Sequence, residues 1–476
     1  MTNSQLILAI DQGTGSTKGL LVDEKLQVFA QHQMAIDIES PQSGFVQQDA
    51  NQIWQSVVEN IDALVTAAGS NSIAGLAITN QRESAVLWDK STGEPIGPML
   101  GWQDRRTVSR LDDFSDSDKS LIRDITGLPL DPMFSALKFE WLLNQYDPDR
   151  VRARAGEIAL GTVDSWLLYK LTGEHRIELG NASRTQLLDI GSGEWSIALL
   201  DLFNVPAEAL PELKASDAVS AEIRGTAAAG LKVLAVLADS HAALYAHGTS
   251  VKATFGTGSS IMALAKSKVA ALGLVQTVAW ARGDQLVSAL EGNILSSGAT
   301  LVWLSELLAT SPAELADIAK SAKALDVNLV PAFGGLGAPW WDSAAQGVVT
   351  GLTLAASRAE WAKAAFDAIV LQIEDVIAAV EGATGATISE VSVDGGPTSN
   401  DWLMQLMADY SQRRITKNEI PELSAIGVAK FATTNSDGKV ETETFLPKIS
   451  AGEATTRKAS WHEAINQSRM QGSNNV

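Results

Sequence analysis

The sequence of 476 residues contains no cysteine, which excludes disulfide bonds and thiolate metal sites. Histidine is scarce, and no pair of histidines has the HExxH spacing of a zinc-binding helix. The five histidines are His32, His175, His241, His247 and His462.

Long apolar runs are also absent, since none approaches the ~20 residues that a membrane-spanning helix needs. The first residues, MTNSQ, lack the basic segment that opens a secretory signal peptide. These features predict a cytoplasmic protein without a membrane partner.

Positive charge is in deficit, with 36 Lys and Arg against 56 Asp and Glu and a net charge of −20. Because nucleic acids are bound by dense Lys and Arg surfaces, this charge argues against a nucleic-acid partner. A polyanion such as ATP would have to be held locally, by backbone N–H groups, one or two lysines and a divalent cation. The length and a hydrophobic content of 45% predict two or three globular domains.

The stretch LILAIDQGTGSTKGLLVD, residues 6 to 23, has two short apolar runs around a polar turn that contains glycine. Leu6 to Ile10 and Leu20 to Val22 are predicted strands. Neither a Walker A loop nor a dinucleotide fingerprint fits, because both motifs would require glycine at the position of Lys18.

Two interpretations of this hairpin remain open. In one, its backbone N–H groups surround a phosphate together with Thr14, Ser16 and Lys18, while Asp11 holds a metal ion or its waters. In the other, it is an ordinary polar turn.

The string GTGS occurs twice, at Gly13 to Ser16 and at Gly256 to Ser259, each time between two β-prone runs. This repeat predicts two similar domains that each present a hairpin to a shared cleft. The second hairpin lacks the aspartate and the lysine, so the two hairpins are predicted to have unequal roles.

The rest of the chain alternates predicted helices and strands, as mixed α/β domains do. We place the domain boundary near Gly248. This predicts an N-terminal domain over residues 1–247, a C-terminal domain over 248–471 and a disordered tail over 472–476.

Polar residues follow two of the predicted strands. Asp239 follows the apolar run KVLAVLA, where it is suited to act as a general base or, alternatively, to cap the next helix. Arg82 and Glu83 follow another strand and are suited to bind neighbouring hydroxyls, although a solvated ion pair is the alternative.

Two further segments have features of binding sites. Trp102 offers a flat apolar face to a carbon chain, or is an ordinary core tryptophan. Gly396 would let the backbone approach a flat ligand such as adenine, and Asn400 could bond a purine edge. A plain turn into the following helix is the alternative for this segment.

Taken together, several strings resemble the FGGY carbohydrate kinases, and within them the glycerol kinase branch. The resemblance covers residues 6 to 415, and its most specific strings are NQRE, GWQDRRT, NASRT and GLGAPWWD in that order. It implies two α/β domains of the actin and ribonuclease H type that close on ATP, Mg²⁺ and a small substrate.

The resemblance also implies roles for individual residues, with Asp239 as the general base and Asp11 near the magnesium ion. The implied acceptor contacts are Arg82, Glu83, Trp102 and Asp239. The implied nucleotide and phosphate contacts are Thr14, Ser16, Lys18, Thr257, Gly298, Gly396 and Asn400.

This chain departs from the glycerol kinase pattern at several of these positions. Met133 replaces a tyrosine and Ser240 a glutamine at the acceptor, while Ser260 replaces an aromatic residue there. Val302 replaces a glutamine near the nucleotide, and Lys18 stands where arginine is usual, so that bidentate geometry is lost. The segment after Ile426 is divergent, so any regulatory or homo-oligomer contacts there are left open.

The sequence thus predicts a kinase that phosphorylates a primary hydroxyl of a small polyol or sugar, with glycerol as the leading acceptor. A four- or five-carbon polyol or ketose is the alternative acceptor. A third alternative is an actin-like ATPase that binds a protein partner, although Arg82, Glu83, Trp102 and Asp239 together favour a small substrate.

Overall fold

The computed structural model describes residues 5–266, 268–269, 273–323, 326–418, 420, 422–433 and 442–473, with side chains up to residue 470. Of the tail predicted over 472–476, residues 474–476 lie outside this described part of the chain.

The N-terminal half is built on a five-stranded sheet with the order β13-β5-β1-β2-β3. Its strands and the other short strands of this half are β1 (Leu6–Gln12), β2 (Ser16–Val22), β3 (Val28–Ala35), β4 (Gln47–Gln48), β5 (Ile73–Asn80), β6 (Val86–Asp89), β7 (Met99–Leu100), β8 (Ile158–Gly161), β9 (Arg176–Glu178), β10 (Leu188–Asp189), β11 (Glu194–Trp195), β12 (Glu212–Lys214) and β13 (Val233–Ala238). Its helices are α1 (Ala50–Ala68), α2 (Asp116–Thr126), α3 (Ser135–Tyr146), α4 (Val151–Arg154), α5 (Val163–Thr172), α6 (Leu179–Ser183), α7 (Ile197–Leu202) and α8 (Asp239–His247).

The C-terminal half is built on a seven-stranded sheet with the order β16-β17-β15-β14-β20-β21-β22. The strands of this half are β14 (Val251–Phe255), β15 (Ser259–Ala265), β16 (Val275–Arg282), β17 (Gln285–Ile294), β18 (Asn328–Val330), β19 (Val348–Thr350), β20 (Glu390–Asp394), β21 (Arg414–Asn418) and β22 (Thr442–Phe445). Its helices are α9 (Gly298–Leu307), α10 (Pro312–Lys320), α11 (Arg358–Thr384), α12 (Asp401–Ser411), α13 (Leu423–Ala432) and α14 (Ala451–Ser473). Short 3₁₀ helices cover Val108–Asp113, Ala207–Ala209 and Gly396–Ser399.

The two sheets share one topology. In the first, β2 is antiparallel to both β3 and β1, and β5 is parallel to both β1 and β13. In the second, β15 is antiparallel to both β17 and β14, and β20 is parallel to both β14 and β21. The duplication predicted from the repeated GTGS string is therefore confirmed.

Each sheet is covered by a helix whose apolar face matches the sequence pattern. In α1 the buried side chains include Ile53, Val57, Ile61 and Leu64, one helical turn apart or nearly so. The longest helix, Arg358–Thr384, is buried over most of its length and carries the core of the C-terminal half.

Helix α13 connects the two halves. In the chain it lies between β21 and β22 of the second sheet, but it packs on the first, where Ala425, Ile426 and Val428 join a core cluster with Ile7 and Ala77. The backbones of α13 and α8 approach closely, since a Cβ added to Gly427 would lie 1.9 Å from the carbonyl oxygen of Ala242. Residue 427 therefore has to be glycine for this packing.

Both predicted hairpins are present, but the first differs in detail from the prediction. Strand β1 continues to Gln12 and β2 begins at Ser16, so the turn consists only of residues 13–15. Lys18 is therefore a strand residue that pairs in register with Asp11, and its placement in the turn was wrong. Both side chains consequently lie next to each other on the same face of the sheet, close to the first hairpin turn.

Within the described residues, no helix combines the length and the apolar character that crossing a membrane requires.

Candidate functional site

The central strands of both sheets end at a cleft between the two halves of the chain, which is where ligands bind in α/β sheets. The cleft contains a cavity of about 690 Å³, which we call the interdomain cavity. Its lining comprises Asp11, Lys18, Asp239, Ser240, Ala243, Lys252, Thr254, Asp394, Gly395, Gly396, Thr398, Ser399, Lys417, Asn418, Ile420, Glu422, Leu423 and Ser424.

The first hairpin presents Asp11 and Lys18 to this cavity. The ammonium of Lys18 lies 3.8 Å from the carboxylate of Glu422, at the start of α13. The buried amide of Gln48 donates to the carbonyl of Thr14 at 2.8 Å and thereby supports the turn. Thr14 lies on the turn and Ser16 is the first residue of β2, and neither lines the cavity.

Trp102 lies beside this turn rather than in the core, because 40% of its surface is exposed. The interpretation of Trp102 as a core residue was therefore wrong. Its indole N–H donates to Oγ1 of Thr14 at 3.1 Å. Trp102 thus connects the loop after β7 with the first hairpin.

Asp239 is the first residue of α8, immediately after β13, and the N-cap position belongs to Ala238. Its carboxylate accepts a hydrogen bond from the backbone N–H of Ser240 at 2.6 Å and lies 3.5 Å from Nε of Arg82. It is 38% exposed toward the cavity. Asp239 therefore lines the cavity on one side and lies close to Arg82 on the other.

Asp11 and Asp239 both line the interdomain cavity, and the charge of Asp239 acts on Asp11. Burial, followed by the charge of Asp239, raises the pKa of Asp11 to about 7, and Lys18 offsets only part of this. Burial also raises the pKa of Asp239, although the charge of Arg82 opposes the shift. The positive charges near the two carboxylates thus do not fully offset the effect of burial on their pKa values. A cation bound beside them would stabilise their ionised forms.

Four charged residues form a buried network behind Asp239. Arg82 donates from Nη1 and Nη2 to the two carboxylate oxygens of Glu291, each at 3.1 Å. Arg184 donates from Nε to Glu83 at 2.6 Å, and its Nη1 lies 3.1 Å from Glu291. Side-chain exposures of 12% for Arg82 and 6% for Glu83 show that the alternative of a solvated ion pair was wrong.

This network joins the two halves, because Glu291 belongs to β17 and the other three residues belong to the N-terminal half. Burial alone would raise the pKa of Glu291, but the guanidinium groups of Arg184 and Arg82 lower it well below its usual range. Glu291 is therefore ionised at any physiological pH.

Glu83 has a backbone φ of 55°, in the left-handed region that side chains rarely adopt. The fully buried Lys138 stabilises this conformation by donating to the carbonyls of Glu83 and Met133, each at 2.6 Å. Burial lowers the pKa of Lys138 to about 7. Lys138 thus connects the segment of Glu83 with that of Met133.

A second cavity, of about 790 Å³, lies within the C-terminal half, and we call it the C-terminal cavity. It adjoins the interdomain cavity at Gly396 and Ser399, which line both. Its lining comprises Phe255, Gly256, Thr257, Gly298, Ala299, Leu301, Val302, Trp303, Glu306, Pro312, Ala313, Phe366, Gly396, Pro397, Ser399, Asn400 and Leu403. The predicted nucleotide contacts Thr257, Gly298, Gly396 and Asn400 are thus brought together, with Val302 beside them.

Close backbone packing shapes this second cavity. A Cβ on Gly298 would lie 2.5 Å from the carbonyl oxygen of Gly256, so α9 can begin against the second hairpin only with glycine there. Asn400 also caps α12, since its side chain accepts from the backbone N–H groups of Trp402 and Leu403 at 3.1 and 3.3 Å. Both interpretations of Asn400 are therefore compatible with its position.

The acceptor positions at which this chain departs from the glycerol kinase pattern are spread around the network. Ser260 lies across the cleft, with its hydroxyl 3.4 Å from Glu291. Met133 packs on a small cluster with Leu128, Phe134 and Val275 and lines neither cavity. Ser240 lines the interdomain cavity beside Asp239.

His241 is fully buried, and burial followed by the charges of Arg82 and Arg184 lowers its pKa well below the usual range, so it is neutral.

No three His, Asp or Glu side chains in the described part of the chain are arranged to hold a metal ion by themselves. Magnesium sites in nucleotide enzymes use one or two carboxylates together with substrate phosphates and waters. Asp11, a carboxylate that lines the interdomain cavity and has a raised pKa, fits such a partial site.

The charged residues of this site that were not among the sequence candidates include Lys138, Arg184, Lys252, Glu291, Asp394 and Glu422. Arg184 lies within the string NASRT, and Glu291 is a carboxylate that directly follows the apolar residues Ala289 and Leu290 in β17. An acidic residue at such a position needs a buried cation, and that signal could have identified it.

Comparison with known proteins places these features in one family. Residues 6–245 match the N-terminal domain of the FGGY family of carbohydrate kinases, and residues 251–436 match its C-terminal domain. An apulose kinase of Pectobacterium atrosepticum is 39% identical over 89% of this chain and 88% of its own length. A glycerol kinase of Alkalilimnicola ehrlichii is 38% identical over 97% of this chain and 98% of its own.

Solved structures agree with the fold. A Plasmodium falciparum glycerol kinase determined with ADP superimposes with a TM-score of 0.92 at 24% identity, over 98% of both chains. A xylulose kinase of Lactobacillus acidophilus gives a TM-score of 0.86 at 20% identity, over 97% of both chains. The prediction of two similar α/β domains is thereby confirmed.

The raised pKa of Asp11 predicts a pH-dependent cost to folding. The folded chain binds a proton at Asp11 up to about pH 7, whereas the unfolded chain releases it near pH 4, so stability falls as pH rises between these values. Asp11→Asn should therefore raise Tm by a few degrees in the absence of ligands. That gain should grow from about pH 5 to about pH 7 and stay constant above.

The measurement is thermal unfolding by circular dichroism across this pH range, with Asp317→Asn as the control, because the side chain of Asp317 is 80% exposed. A gain in Tm that is the same at every pH would contradict the assignment.

Proposed function

This chain belongs to the FGGY family of carbohydrate kinases, and we propose that it transfers the γ-phosphoryl group of ATP to a primary hydroxyl of glycerol, with Asp239 as general base. The observation that carries the proposal is the position of Asp239. It faces the interdomain cavity on one side and lies 3.5 Å from Arg82 on the other.

The C-terminal cavity is proposed to hold the nucleoside of ATP. Apolar side chains such as Leu301, Val302 and Phe366 form much of its wall, and the polar end of Asn400 is available at its edge. The shared lining at Gly396 and Ser399 then leads the phosphates into the interdomain cavity.

The acceptor is proposed to lie between Asp239 and the buried network. Arg82 and Glu83 offer donors and acceptors to neighbouring hydroxyls, and Trp102 is close by through its contact with Thr14. Glu291 holds Arg82 in place through both terminal nitrogens of its guanidinium, so that its position is set before the acceptor binds.

In the reaction, the carboxylate of Asp239 takes the proton of the acceptor hydroxyl as the oxygen attacks the γ-phosphorus in line with the leaving ADP. Asp11 is proposed to hold Mg²⁺, directly or through water. When bound, the ion neutralises charge on the phosphates. Closure of the two halves excludes water, which would otherwise be an alternative acceptor.

Two features favour a second candidate acceptor, a four- or five-carbon polyol or ketose. Ser260 and Ser240 are small, and Met133 offers no strong hydrogen bond at a position that carries tyrosine in glycerol kinases. One relative is an apulose kinase at 39% identity.

An actin-like ATPase on the same fold would instead hydrolyse ATP without responding to any acceptor.

Replacement of the base tests the proposed chemistry. Asp239→Asn should lower kcat by about 10²–10⁴-fold, because the amide fills the same space but cannot accept the proton. Binding of ATP and acceptor, measured by calorimetry, should persist. Asp116→Asn is the matched control, since Asp116 is also the first residue of a helix but is fully exposed. Retention of more than about a tenth of wild-type turnover would refute the role of the base.

The acceptor is tested by ADP release over glycerol, erythritol, xylitol, ribitol, pentuloses, apulose and gluconate. In Met133→Tyr/Ser240→Gln, two regained hydrogen bonds should favour glycerol over erythritol and D-xylulose by about 1–3 kcal/mol, or roughly fivefold to 150-fold in kcat/KM. If the preference does not change, these two positions do not select the acceptor. If no acceptor stimulates ADP release, the kinase proposal fails.

A further inference from the structure

The duplicated topology makes the two walls of the interdomain cavity comparable residue by residue. With the two GTGS strings aligned, Asp11 of β1 corresponds to Thr254 of β14, and the buried Ala9 corresponds to Lys252. The first hairpin therefore has the carboxylate of Asp11 at a position where the second has Thr254. The second hairpin has instead an ammonium group, that of Lys252, two residues earlier in its strand.

Lys252 is almost completely buried, with 2% of its surface exposed, yet it lines the interdomain cavity. Its ammonium donates to Oγ1 of Thr254 at 2.7 Å. Since an ammonium has three N–H donors, this bond leaves two of them. Lysine is almost never buried in this way without an anionic partner.

Three lysines line the cavity, and they differ in their partners. Lys18 lies 3.8 Å from Glu422, and Lys417 pairs with Asp401 and Glu443 at 2.7 and 2.6 Å. Within the described residues, Lys252 forms no ion pair at contact distance. Its ammonium is therefore the lysine of this cavity that has no carboxylate at contact distance, which leaves it able to bind a further anion.

The surroundings of Lys252 indicate where that anion lies. Burial raises the pKa of Asp239, and the charge of Lys252 is one of the groups that lower it again, so the two are near each other. Burial alone would raise the pKa of Asp394, on the same wall, and the charge of Lys252 lowers it, but the contact of this carboxylate is with Nε2 of His247 at 2.8 Å. The space between Lys252, Asp239 and Lys18 is the space in which the proposed reaction transfers a phosphoryl group.

We propose that Lys252 is a catalytic residue whose ammonium contacts the phosphoryl group during its transfer. The inference rests on the proposed function. As the acceptor oxygen forms its bond to phosphorus, the bond from phosphorus to the bridging oxygen of ADP breaks and leaves its electron pair on ADP. The acceptor proton goes to Asp239. Lys252 then stabilises the charge on the transferred group from the wall opposite Lys18.

The test is Lys252→Met, assayed with the acceptor that the wild type uses best. We expect kcat to fall about 10²–10³-fold, as for removal of one stabilising donor, with KM for the acceptor unchanged. Calorimetry should show that the variant loses more affinity for ATP than for ADP, because only ATP carries the contacted group. Lys252→Arg should recover part of kcat by retaining the positive charge.

Lys170→Met is the matched control, because Lys170 is also largely buried but contacts Gly93 and Trp166, away from both cavities. If Lys252→Met fails to fold, Lys252→Gln replaces it, since the amide retains a donor for Thr254 and removes only the charge. The same loss of ATP affinity relative to ADP is expected.

An unchanged kcat in Lys252→Met, or equal losses of ATP and ADP affinity, would overturn the proposal and leave Lys252 as a structural counter-charge. Failure of the proposed function gives a different result. The wild type itself would then phosphorylate no acceptor, while the comparison of ATP with ADP would still decide whether Lys252 contacts the terminal phosphate.

Discussion

The arrangement of the cleft depends on one buried carboxylate, Glu291. It extends from the second sheet into the first half of the chain and is shared by the guanidinium groups of Arg82 and Arg184. Breaking such a buried set by removing one partner costs about 3–5 kcal/mol, because the remaining charges are left without compensation. The relative position of the two halves is therefore coupled to the positions of the side chains proposed to bind the acceptor.

This coupling gives the proposed chemistry a physical basis. Arg82 contacts Glu291 with its two terminal nitrogens, while its Nε lies 3.5 Å from Asp239 and 3.7 Å from Glu83. An acceptor that lies against Arg82 is thus oriented by both halves of the chain, and the base lies at its side. Separation of the halves would break the contacts of Arg82 with Glu291. Water that enters an open cleft would then find the proposed catalytic side chains out of position.

Local features of the site could be predicted from the sequence. The hairpins follow from short apolar runs around glycine, and Asp239 and Arg82 follow from polar residues placed after buried strands. Glu291, Lys252 and the packing of α13 on the first sheet could not be found this way, because each depends on contacts between segments far apart in the chain. For Trp102 the core alternative stayed open because tryptophan is highly buried on average, although the residues that follow it, Gln103 to Arg106, are polar.

The measurement that tests the account most directly is a double-mutant cycle between Arg184 and Glu291. The free energy of unfolding in urea is determined for the wild type, Arg184→Met, Glu291→Met and the double variant. If Glu291 joins the two halves through these charges, the double variant should lose less stability than the sum of the single losses, by more than about 1 kcal/mol. Losses that add to within about 0.5 kcal/mol would contradict the central role of this network.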